Sequence, residues 1–183
     1  LSKVSGHVPL VQIDILDGKF TPEKSWPNIA APDIDLVKII REEESFPYYE
    51  ELDFEIDMMV ADPAEEIQKW ISAGASRVIP HYESFKNADV ATEFAQKFHD
   101  QFGGDGSFLA VELGMALNID TPNTVLNNLI ENIDFIQFMG IATIGNQGQP
   151  FDERVLGKIR DARSMFPEMP FSVDGGVNLI SAP

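Results

Sequence analysis

Val11-Gln12-Ile13-Asp14-Ile15-Leu16-Asp17-Gly18 is the stretch on which the reading of the fold turns. Side chains alternate along a strand, so Val11, Ile13 and Ile15 share one face and Gln12, Asp14 and Leu16 the other. A strand buried on both faces of a parallel sheet is nearly all apolar. Two polar side chains on one face, ending in Asp-Gly, suit an active-site strand of an α/β barrel. A solvated edge strand is the plain alternative, and these eight residues do not separate the two.

Outward from this strand, apolar runs alternate with helical patterns every 25–35 residues or so, as in βα units on a parallel sheet. A Pro-rich loop containing Trp26 runs from Lys19 to Pro32, long enough to be functional. Ile34 to Arg41 reads as helix, and Glu42 to Pro47 as a solvated insertion. The second strand, Leu52 to Val60, places Asp53, Glu55, Asp57 and Met59 on one face. Three carboxylates there are costly unless paired, metal-bound or at a barrel mouth. Asp62-Pro63 opens a helix with an N-cap, a first-position proline and Glu65 and Glu66 in the first turn; Gly74 ends it. The third strand spans Ser76 to His81. A helix from Asn87 to Phe102 is closed by Gly103-Gly104. Phe108 to Asn118 holds the fourth strand, centred on Leu113 to Asn118. A helix is expected from Thr121-Pro122 to Glu131, a fifth strand from Asp134 to Gly140, and a helix from Asp152 to Met165. Phe171 to Asp174 is the sixth strand, running into Gly175-Gly176.

Composition bounds the rest. The 183 residues suffice for one sizeable core, read as a single domain over 1–183. No apolar run approaches a membrane span, and no cationic leader with an apolar core suggests secretion. The chain opens on Leu1 rather than Met, which leaves room for residues before it. There are no cysteines, which removes disulfides and thiolate chemistry and fits a cytoplasmic protein. Thirteen basic against 30 acidic residues give a net charge of −17. That field repels nucleic acid and anionic membrane. It also repels a phosphorylated substrate at long range, so a phosphate site must rest on local donors. A solvated acidic surface accounts for the charge; a high-salt setting is the other reading.

Five features fall at C-terminal strand ends, where parallel barrels gather their sites. They are Asp14 with Asp17-Gly18, Asp57 with Met59, His81 with Glu83, the loop Gly145 to Gln149, and Asp174-Gly175-Gly176. Glycine turns after late strands offer unobstructed backbone N–H groups, a phosphate cradle. Asp14 and Asp174 would face each other across the interior. Opposed carboxylates can remove a proton from one face of a carbon and return one to the other.

These residues resemble the ribulose-phosphate 3-epimerase family, from its second strand through its seventh. The family's HxDxMDGxF is met by Gln12 to Phe20, and its DxHLM by Glu55-Ile56-Asp57-Met58-Met59. His81-Tyr82-Glu83 is similar to its HxE. Gly114 to Pro122 is similar to GxALNPxTP, and Gly145-Asn146-Gln147-Gly148-Gln149-Pro150-Phe151 to the PGFGGQxF loop. Val173 to Val177 matches VDGG(V/I). The resemblance implies a (β/α)8 TIM-type barrel acting on a ketopentose 5-phosphate, with Asp14 and Asp174 as acid and base. It implies substrate contacts from Gly145, Asn146, Gln147, Gly148, Gly175, Gly176, Met59, Met139 and His81; the family's first methionine is Leu16 here. It also implies a divalent metal, whose two histidines are replaced by Gln12 and Asp57. The remaining set, Gln12, Asp14, Asp57 and Asp174, is all-oxygen and favours Mg²⁺ or Mn²⁺ over Zn²⁺. A related decarboxylase branch carries a strand lysine that this chain lacks.

Against that pattern the first and eighth strands have no counterpart in this sequence. Two open edges result, and the expectation is a fragment or a homo-oligomer that covers them. The alternative to an active epimerase is an inactive or truncated homologue that at most binds phosphate or sugar phosphate and needs no metal.

Overall fold

The computed structural model describes residues 1–29, 33–103 and 110–181. Six parallel strands follow one another in a single sheet in chain order: β1 (Leu10–Leu16), β2 (Asp53–Met59), β3 (Arg77–Pro80), β4 (Glu112–Leu117), β5 (Phe135–Met139) and β6 (Phe171–Asp174). Sequential neighbours joined by crossovers are the wiring of a (β/α) barrel. Among the described residues β1 pairs only with β2 and β6 only with β5, so the sheet is open.

The helices are α1 (Ile34–Ile40), α2 (Pro63–Ser72), α3 (Ala88–Phe102) and α4 (Arg154–Met165). Their starts follow from local chemistry. Asp33, Asp62 and Asn87 each accept a backbone N–H from three residues on, satisfying an orphan donor of the first turn. The helix expected over Thr121–Glu131 is instead a 3₁₀ segment, Asn123–Asn128. Asparagine and threonine are poor helix formers, so the segment carries little helical drive of its own. One of its asparagines, Asn123, gives its side-chain amide to the Lys158 carbonyl at 2.7 Å. The expected glycine closure at Gly104, the end of the loop at Pro32 and the Phe108 boundary lie outside the described residues.

Alternation sorts the sheet into two faces. Ile56, Met58, Val78, Leu113, Met115, Leu117, Ile136 and Phe138 point out under the helices and pack with Trp70, Leu126, Leu129, Val155 and Ala162. The inner face carries a smaller apolar cluster of Ile79, Ala116, Phe135 and Met139. The polar side chains of the strands share that inner face. At the strand starts Arg77 lies over the Phe135 ring and pairs with Glu55 and Glu112. Further up, the sheet register sets Asp14 beside Asp57 and Met139 beside Asp174.

Candidate active site

At the C-terminal ends of the strands a cleft of about 700 Å³ opens. Asp14 and Leu16 of β1, Met59 of β2, Met139 of β5 and Asp174 of β6 line it, with the loops Gly145–Gln149 and Gly175–Gly176. The two aspartates thus reach one space from the two outermost strands. The period-2 pattern of β1 accounts for Asp14: Ile15 turns out into the core while Asp14 and Leu16 turn in.

The glycines are needed where they stand. Gly145 has φ +85°, and a Cβ there would come within 3.0 Å of the Thr21 side chain. Gly176 has φ +69°, and its Cβ would meet the Phe151 backbone at 2.6 Å. Only glycine fits such positions without strain. The Gly140 N–H donates to the Asp174 carbonyl at 2.6 Å, and the Asp152 N–H to the Gly140 carbonyl at 2.8 Å. The two glycine loops are therefore tied together beside Asp174.

Beneath the cleft lies a closed polar layer. Asp57, His81 and Gln137 are 0, 0 and 1 % exposed. His81 Nε2 is 3.0 Å from Asp57 Oδ1, and Gln137 Nε2 donates to Asp57 Oδ2 at 2.8 Å. Phe20 lies against the His81 ring, its centroid 5.3 Å away. Glu83, expected with His81 at a strand end, accepts from the Asn118 N–H at 2.9 Å and from the Thr121 hydroxyl. His81 therefore does not line the cleft, although sequence reasoning assigns it a substrate contact. It is spent on Asp57, which has no other charged partner at that depth. Of the three carboxylates of β2, two are accommodated by pairing, Glu55 with Arg77 and Asp57 with His81, and Asp53 is exposed at the strand start.

Electrostatics follow from this burial. Asp14 is raised above the ordinary carboxylate range by burial first, with the Asp57 charge adding; the Gln12 amide, donating at 2.9 Å, and His81 oppose. Asp174 is pushed up to about 6 by burial, then by the charges of Asp57 and Asp14. Burial works against a charge on His81. Its hydrogen bond and ion pair with Asp57, and then Glu83 and Asp174, outweigh that and raise its pKa.

A divalent metal, implied by the family resemblance, was expected on Gln12, Asp14, Asp57 and Asp174. The side chains do not form that cage. Both Asp57 oxygens are occupied by His81 and Gln137, and the Gln12 amide is turned onto Asp14. Among the described residues no group of three or more His, Asp or Glu is arranged to hold a metal ion. The donor set as it stands does not fit the metal.

Sequence reasoning missed Gln137, on the inward face of β5, and the loop residues Glu23, Lys24 and Ser25, which line the cleft beside Asp14. Alternation along β5 was signal enough for Gln137. The loop carries no periodic signal.

Fold and site together define a partial parallel (β/α)-barrel sheet with two aspartates, Asp14 and Asp174, lining one cleft at its C-terminal strand ends. The chain belongs to the ribulose-phosphate 3-epimerase family, whose model matches residues 2–183. It is 28 % identical over 169 residues to the ribulose-phosphate 3-epimerase of Schizosaccharomyces pombe, a match covering 92 % of this chain and 65 % of that protein. The Bacillus subtilis ribulose-phosphate 3-epimerase is 26 % identical over 183 residues, covering 97 % of this chain and 73 % of that one. A chloroplastic ribulose-5-phosphate-3-epimerase of Arabidopsis thaliana is 26 % identical over 176 residues, covering 94 % and 55 %. The chain thus spans about two thirds of the length of the first of these relatives. No helix among the described residues is long and apolar enough to cross a membrane.

Proposed function

We propose that this chain carries the site of a sugar-phosphate epimerase, exchanging protons at C3 of a ketopentose 5-phosphate. One aspartate, ionised, takes the C3 proton from one face, and the electron pair moves onto the C2 carbonyl to give a 2,3-enediolate. The other, as the neutral acid, returns a proton to the opposite face. This needs two carboxyl groups of which one holds a proton while the other is ionised. Burial raises both, and the charges of Asp57 and Asp14 push Asp174 further, to about 6, which favours Asp174 as the protonated partner. The observation that carries the reading is that both line one cleft, with Asp174 held near 6. The glycine loops at Gly145–Gly148 and Gly175–Gly176 hold the phosphate through backbone N–H groups. Asn146 and Gln147 add side-chain donors, and Met59 and Met139 pack against the sugar.

No step is routed through a metal, because the donor set does not fit one; Mg²⁺ or Mn²⁺ would need Asp57 to leave its two partners. The open sheet edges are read as those that the family's first and eighth strands, or a second copy of the chain, would cover. A cytoplasmic setting rests on the cysteine-free sequence. The second reading, sugar-phosphate binding without turnover, is favoured by Gln12 and Asp57 at the metal-histidine positions. Incubating the folded protein with ribulose 5-phosphate, alone and with Mg²⁺, Mn²⁺ or Zn²⁺, separates the two. Xylulose 5-phosphate formation supports the epimerase, and binding without conversion under every condition supports the second reading.

A further inference from the structure

The cleft is lined by three acidic residues, Asp14, Glu23 and Asp174, and by one basic residue, Lys24, which also borders the neighbouring groove. Among the described residues no carboxylate lies within ion-pair distance of the Lys24 ammonium. In a chain of net charge −17, an anionic ligand is repelled until it meets a local cation. We propose that Lys24 is that cation, the residue that binds the phosphate of the substrate against the glycine loops. This rests on the epimerase reading for the substrate's identity and not for its charge.

The loop is built to hold Lys24 in place. Its backbone bridges to Asp17. The next residue, Ser25, is fastened to the end of β1 three times. Its hydroxyl donates to the Asp14 carbonyl at 2.7 Å and accepts from the Leu16 N–H at 2.9 Å. Its own N–H donates to the Leu16 carbonyl at 3.2 Å. The Asn28 amide adds a bond to the same carbonyl at 3.0 Å. Gly18 leaves room for the lysine stem: a Cβ there would sit 2.7 Å from Lys24 Cε. The same loop reaches the phosphate side, since Thr21 packs on Gly145. Lys24 therefore stands on the ridge between the cleft and the neighbouring groove, on a loop that joins Asp14 to the glycine cradle.

A charge-assisted contact of this kind raises affinity about tenfold or more. The test is calorimetric binding of ribulose 5-phosphate and of inorganic phosphate to the whole chain and to K24M, K24R and K19M. Lys19 lines the neighbouring groove and not the cleft, so K19M removes the same charge without the contact. K24M is expected to weaken both ligands about tenfold or more and to flatten the salt dependence of binding, with K24R close to the parent and K19M within about twofold. Equal affinities for K24M and K19M would overturn the proposal, as would a parent protein that binds neither anion at millimolar concentration. Binding that depends on Lys24 without any turnover would leave this proposal standing and remove only the epimerase reading.

Discussion

Asp174 and Asp14 are separated in chemistry by what surrounds them. Asp174 is half-buried and faces the charges of Asp57 and Asp14; Asp14 is more open to solvent and faces that of Asp57. For Asp174 the native state binds its proton more tightly than the unfolded chain does, about 6 against 3.8. Stability therefore falls as pH rises through that window and stays lower above it. D174N is expected to gain on the order of 1–2 kcal/mol relative to the parent between pH 4 and pH 7.5, after discounting for solvent screening. Urea titrations at the two pH values check this; a gain independent of pH would contradict it. For turnover, the pair predicts a bell-shaped profile of kcat/KM, with its alkaline limb near pH 6, where Asp174 gives up the proton it must donate. Asp57 acts differently. D57A leaves His81 and Gln137 buried without their partner, and a loss of about 3–5 kcal/mol is expected in the same urea titration. At this scale the sequence shows both aspartates plainly, Asp174 because an Asp-Gly at a strand end is a local pattern and Asp14 because it breaks the apolar alternation of its strand. It does not show that His81 turns beneath the cleft, because that depends on Asp57 from another strand.

The strands and most helices are legible in the sequence because their signals are periodic. β2 and β5 alternate, and α2 and α3 announce their caps through Asp62 and Asn87. The segment after Pro122 fails that test: it has no side-chain cap, Asn123 is drawn to the Lys158 carbonyl instead, and only six residues form 3₁₀ turns. The loops between β1 and α1 and after β5 are set by contacts far along the chain. Gly176 is the clearest case, pressed to within 2.6 Å of the Phe151 backbone at φ +69°. Gly176→Ala is expected to destabilise the chain by about 1–3 kcal/mol and to weaken phosphate binding, because the two glycine loops must part. A denaturation curve and a phosphate titration of the same variant measure both. Unchanged phosphate affinity in a destabilised variant would remove the loop from the site.

For the molecule as a whole, the net charge of −17 acts on stability and on ligand capture together. Self-repulsion weakens the folded state and is screened by salt, so the melting temperature is expected to rise by a few degrees on adding about 0.5 M KCl. A fall would show that attractive ion pairs, such as Arg77 with Glu55 and Glu112, dominate instead. The open sheet brings Asp14 and Asp174 into one cleft from its two outer strands, so the chemistry depends on the sheet's curvature and not on any one element. The family membership was legible from motifs in the right order; that Gln12 is turned onto Asp14, and Asp57 onto His81 and Gln137, emerged only in the structure. The central claim is two-carboxylate proton exchange at C3, and ribulose 5-phosphate in deuterated water tests it most directly. Xylulose 5-phosphate carrying deuterium at C3 is the predicted product, with D14N and D174N each slower by about a thousandfold. Turnover that survives either substitution would contradict the account.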